Sequence, residues 1–171
     1  PWPVCLIAHK GASAYCTQNT LPAFSKAVAM AAPAIELDVH MVDDVAVVYH
    51  NKDDIKQLST AGVSKPVKKL SLDELRALEL KDDAKLPGSV PTLEEALNCI
   101  NRKAVVNIHL KKQSSGEGVE KVIKEFISKN GWEPTDFLVS AFTKGKDKKV
   151  LPALKHIRKS LPDVPIAMIV K

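Results

Sequence analysis

Three observations predict an α/β fold, a largely parallel sheet with helices packed on it. Short apolar runs alternate with amphipathic segments along the 171 residues. The first run, residues 4–8, is continuously apolar, as a parallel strand buried on both faces would be. Polar residues collect where the runs end: His9, then Glu36 and Asp38, His50, His109 with Lys111, and Ser140. In a (β/α)₈ barrel that end of the strands carries the chemistry, and in an open doubly wound sheet it faces the ligand crevice. The pattern accommodates either.

The elements follow in order. After the first strand, Thr20 caps a helix with Pro22 in its first turn and Phe24, Val28 and Ala31 at helical spacing. Pro33 ends it, and residues 34–39 form the second strand. Asp43-Asp44 is a turn too short for a helix, so the third strand, residues 45–49, returns by a hairpin-like connection. Residues 51–69 read as a polar, irregular excursion, able to cover a substrate. Ser71 and Glu74 form a capping box for a helix through about Leu80, and Thr92 and Glu95 form another with Leu93, Ala96, Leu97 and Ile100 inward. Residues 104–111 are the fourth strand. Residues 113–118 read as a loop before an amphipathic helix over 119–130, closed by Gly131. Residues 137–142 are the fifth strand, 150–161 a basic helix and 165–170 the sixth strand. No repeat or linker interrupts the chain, so a single domain is expected over residues 1–171.

Composition narrows the function. The net charge is +5, yet the lysines are interleaved with acids, which fits a solvated surface as well as an anionic ligand. Few aromatics are present to stack bases, so nucleic acid is not expected as a partner. No apolar run reaches the roughly 20 residues a membrane span requires. With no signal peptide visible, a cytoplasmic location is expected, although a mature secreted chain would look the same. Cys5, Cys16 and Cys99 lack metal-type spacing and read as reduced, with Cys5 in strand core and Cys16 exposed.

Glu36 and Asp38 have one parity on a strand, so both point to one face. Two carboxylates turned into a barrel repel unless something positive lies between them, and a divalent cation such as Mg²⁺, Ca²⁺ or Mn²⁺ answers that need. The alternative is an edge strand with both acids in water. His109 and Lys111 share a face in the same way. His109 as a third ligand would favour Mn²⁺, Fe²⁺ or Zn²⁺, and Lys111 can meet a phosphate as a point charge. His9 and His50, each closing an apolar strand, can act as general acid and base. Lys10 beside Gly11 can bind an anion where the backbone approaches closely. His40 shares the parity of the two acids and can line the site, while His156 reads as a surface residue.

These strings together resemble the glycerophosphodiester phosphodiesterase family. They are Ile-Ala-His9-Lys10-Gly11-Ala-Ser-Ala-Tyr, Gln18-Asn19-Thr20-Leu-Pro-Ala-Phe, Ala-Ile-Glu36-Leu-Asp38-Val-His40, Val-Val-Tyr-His50, Val90-Pro-Thr-Leu-Glu-Glu and Asn107-Ile-His109-Leu-Lys111. The resemblance runs in order from about residue 6 to 170. It implies a TIM barrel, one divalent metal ion (Mg²⁺ or Ca²⁺) and hydrolysis of glycerophosphodiesters to glycerol 3-phosphate and an alcohol. It implies His9 and His50 as the acid/base pair, Glu36 and Asp38 as metal ligands and Lys111 near metal and phosphate. The chain departs from the family's pattern at several positions. Lys10 stands for arginine, Gln18 for glutamate, Asn51 for aspartate, and His109 for the third metal carboxylate. Two of eight barrel units fall outside the chain, leaving edges for a partner chain or a further segment to close. A catalytically impaired binding protein on the same scaffold, or a phosphodiesterase of phospholipids or lysophospholipids, is the alternative.

Overall fold

In the computed structural model, which describes residues 6–49, 51–63, 65–112, 115–142 and 150–169, six strands form one sheet. They are β1 (Ile7–Ala8), β2 (Ala34–Val42), β3 (Val45–Val48), β4 (Val105–Leu110), β5 (Phe137–Phe142) and β6 (Ile166–Ile169). Their spatial order is β1-β2-β4-β5-β6, parallel throughout, with β3 folded back antiparallel on β2. The hairpin expected at Asp43-Asp44 is present. Both residues take left-handed backbone, φ 47° and 62°, the geometry of a tight two-residue turn.

The parallel α/β expectation holds, as a half-barrel rather than a closed ring. The edges are β1 and β6, and Leu6, Ile7 and Met168 are exposed there, Met168 by 63%. Four helices cover the outer face: α1 (Leu21–Ala29), α4 (Leu93–Ile100), α5 (Ser115–Lys129) and α6 (Leu151–Ser160). Between β3 and α4 lie the short α2 (Lys52–Leu58) and α3 (Leu72–Arg76). Phe24, Leu97, Ile123 and Ile157 from the four covering helices pack with Ile35, Leu37, Ile108 and Val139 from the strands in one core. Strand parity then turns Glu36, Asp38, Asn107, His109 and Ser140 to the opposite face. Register aligns them, Glu36 beside Asn107, and Asp38 beside His109 beside Ser140.

Three expectations change. Residues 51–69 are not irregular. Asn51 caps α2, its side chain accepting from the N–H groups of Asp53 and Asp54 at 2.7 and 2.9 Å. Ile55 is buried in a second core with Val47, Tyr49, Val67, Leu75, Leu80 and Val90, so the excursion folds on apolar residues of its own. α5 starts at Ser115, where a loop was expected, and the buried Ser115 hydroxyl donates to the Val39 carbonyl at 3.3 Å. Cys16, expected at the surface, is fully buried where Cys16 and Thr17 pair with Leu86, while Cys99 is half-buried; Cys5 lies outside the described residues. Among the described residues, no helix is long and apolar enough to cross a membrane.

Candidate active site

The site exists because β1 is short. It leaves β2 opposite Ile35, and β3 joins β2 only from Val39 onward. Between them, at positions 36–38, the loop after β1 takes the place of a strand. The Lys10 N–H donates to Glu36 Oε2 at 2.9 Å. The Asn19 side chain donates through Nδ2 to Asp38 Oδ2 at 3.0 Å and accepts the Asp38 N–H at Oδ1, 3.2 Å. Asn19 sits at φ 57°, a left-handed position that asparagine tolerates better than most residues, and Lys10 at φ 59° is a less usual occupant. Gly11 follows at φ 78°, and a Cβ there would meet the Ala23 backbone at 2.8 Å. The absence of a Cβ thus lets this turn pack against the start of α1.

Glu36 is 7% exposed and Asp38 is buried beside it. Burial, then the Asp38 charge, push the Glu36 carboxyl up from 4.5 to about 7, against the opposing pull of the Lys10 N–H and of the Lys10 and Lys111 charges. Two lysines do not offset the desolvation and repulsion of this pair. Lys111 Nζ lies 3.4 Å from Asp38 Oδ1. His9 Nε2 lies 3.9 Å from Glu36 Oε2 and its side chain is 72% exposed, facing outward where a substrate can reach it.

His109 is buried one strand away. Its Nδ1 lies 3.2 Å from Ser140 Oγ, which donates to Asn107 Oδ1 at 2.7 Å. With the hydroxyl proton directed to Asn107, Ser140 Oγ is left to accept from His109 Nδ1. The edge of Phe142 packs against this ring, centroids 5.0 Å apart. These contacts fix the orientation of the ring. His40 is stacked on Tyr49, centroids 4.1 Å apart, and His156 on α6 meets Glu120 on α5.

The structure thus brings His9, Lys10, Glu36, Asp38 and Lys111 together, and places His109 beside Asp38 on the neighbouring strand, against Ser140 and Phe142. His50 lies outside the described residues. Among the described residues, no three His, Cys, Asp or Glu side chains are grouped to hold a metal ion. The carboxylate pair itself suits a hard divalent cation, since a positive charge between the oxygens relieves the strain that holds Glu36 near neutrality. Sequence reasoning gave no role to Asn19, Asn107 or Ser140. Strand register puts Asn107 beside Glu36 and Ser140 beside His109, and the loop after β1 puts Asn19 against Asp38; a single sequence displays neither. A cavity of about 400 Å³ between α2 and the turn at Val67–Lys69 contains none of these side chains, so the site is assigned on chemistry rather than on concavity.

A parallel half-barrel with polar side chains gathered at the C-terminal ends of its strands places the chain in the class of α/β-barrel proteins. Within it, this chain belongs to the glycerophosphoryl diester phosphodiesterase family, whose model matches residues 9–171. It is 30% identical over 173 residues to the glycerophosphodiester phosphodiesterase of Caldanaerobacter subterraneus, covering 96% of this chain and 65% of that protein. It superposes on the glycerophosphodiester phosphodiesterase of Thermotoga maritima with TM-score 0.70 at 25% identity, covering 100% of this chain and 64% of the other. An Oleispira antarctica phosphodiesterase, solved in complex with the product sn-glycerol-3-phosphate, aligns with TM-score 0.71 at 24% identity over 96% of this chain and 64% of that one. The chain spans 65% or less of the length of the curated relatives it matches.

Proposed function

We propose that this chain carries the catalytic face of a metal-dependent glycerophosphodiester phosphodiesterase. The observation that supports it most is the buried Glu36–Asp38 pair, with His9 3.9 Å from one acid and Lys111 3.4 Å from the other. Relatives that bear this activity in their names, and the product bound to the Oleispira antarctica enzyme, agree with it. Glu36 and Asp38 would hold one divalent cation, with His109 beside Asp38 on the neighbouring strand. Such a cation supplies positive charge to the phosphoryl oxygens and acidifies an attacking oxygen. Net hydrolysis forms a bond from a water oxygen to phosphorus and breaks the bond from phosphorus to the alcohol oxygen. One of His9 and His50 takes the proton of the attacking oxygen, and the other gives one to the leaving alkoxide. Lys10 and Lys111 stabilise charge on the non-bridging oxygens.

Release of glycerol 3-phosphate from glycerophosphocholine tests this. Replacement of either His9 or His50 by alanine should lower turnover by roughly 10²–10⁴-fold with the circular dichroism spectrum unchanged. Full turnover in either variant refutes the assignment. A second reading, a binding protein on the same scaffold, draws on His109 in place of a carboxylate and on the ungrouped third donor. It predicts glycerophosphodiester binding without turnover by a folded chain.

A further inference from the structure

Lys10 is buried, and its ammonium donates to Gln18 Oε1 at 2.9 Å. The other end of that amide donates from Nε2 to Asp54 Oδ2 at 2.6 Å. An ammonium only donates and an ionised carboxylate only accepts, so an amide between them has a single orientation. Asp54 is held in turn, since its N–H donates to the Asn51 side chain in the first turn of α2. Three segments therefore meet along one line: the end of β1, the loop entering α1 and the start of α2. The Gln18 amide is neutral, so Lys10 would face an uncharged partner alone. Asp54 supplies the negative charge from a different element.

We propose that Asp54 is a positioning residue for Lys10, acting through the Gln18 amide. The relay fixes the ammonium without a carboxylate directly on it. One of its three N–H donors is committed to Gln18, and the amide separates it from the nearest charge of this relay. The remaining donors and the full positive charge can then serve a phosphoryl oxygen. The proposal rests on the reading of Lys10 as a phosphate-binding residue.

The test uses Asp54→Ala, Asp53→Ala in the same helical turn, and the double variant Gln18→Glu/Asp54→Ala, each checked for native circular dichroism. Two measurements are made: the rate at which an activated acetate ester labels the Lys10 amine, read by mass spectrometry, and the dissociation constant for inorganic phosphate, read by calorimetry. Neither needs turnover. In Asp54→Ala, labelling should accelerate several-fold and phosphate should bind about tenfold more weakly, since a charge-assisted anchor is removed. Asp53→Ala should match wild type. The double variant, with a carboxylate placed directly on Lys10, should label as slowly as wild type, whereas a role confined to docking α2 would not be rescued. Unchanged labelling in Asp54→Ala overturns the relay. Faster labelling with phosphate affinity equal to wild type overturns positioning for phosphate, and leaves the histidine and carboxylate assignments to the turnover assay.

Discussion

The inward row of β2, β4 and β5 and the excursion between β3 and α4 are built on different rules. The row is set by strand parity and register: once Ile35, Leu37, Ile108 and Val139 are committed to the helices, Glu36, Asp38, His109 and Ser140 must face the other way. The excursion has no sheet to direct it and condenses around Ile55, Val67, Leu75 and Leu80. The difference teaches that the proposed site sits on the sheet with the larger core, while Asp54, proposed to position Lys10, belongs to the excursion with the smaller core.

Truncation separates the two regions most sharply. Ile108→Ala removes a fully buried side chain from the main core and should cost about 2–5 kcal/mol, lowering the denaturation midpoint of the whole fold. Ile55→Ala makes the same change in the smaller core. Its effect should appear as faster hydrogen exchange in residues 52–80, with the amides of β2, β4 and β5 still protected. Equal loss of protection in both regions would merge them into one cooperative unit.

A smaller effect comes from Glu36. Its raised folded value, about 7 against 4.5, means the native state holds the proton more tightly than the unfolded chain. That contribution to stability is complete below about 4.5 and is lost as pH rises through 7, a difference on the order of 3 kcal/mol. Metal-free Glu36→Gln should therefore be more stable than wild type at pH 8 and nearly equal to it at pH 4, measured by urea denaturation. A less stable variant at pH 8 would show that the lysines already neutralise the site. The smallest effect is at the seam between the regions, where Arg76 of α3 pairs with Glu95 of α4 at the surface. Arg76→Ala should cost less than about 1 kcal/mol in the same assay, and a larger loss would mean that the excursion is tied to the barrel more firmly than its surface contacts indicate.

Much of this was legible in the sequence. Parity alone put Glu36 with Asp38, and His109 with Lys111, on common faces, and the Asp-Asp turn disclosed the hairpin. Both capping boxes, at Ser71 and Thr92, are formed as the sequence indicates. The gaps have physical causes. α2 was hidden because its amphipathic face is a single turn, with Ile55 its one buried residue, although Asn51 followed by Asp53 and Asp54 was a cap signal. Cys16 was misplaced because its burial depends on Leu86, seventy residues on. The Lys10–Gln18–Asp54 line joins residues up to 44 positions apart, and no local pattern links them.

Calorimetric titration of the folded chain with Mg²⁺, Ca²⁺, Mn²⁺ and Zn²⁺ at pH 8 tests the central claim most directly. One equivalent of at least one of these cations should bind to wild type, and binding should be lost in both Glu36→Gln and Asp38→Asn. A folded chain that binds none of them, or one whose binding survives both substitutions, would contradict the assignment of these acids as the metal-holding pair.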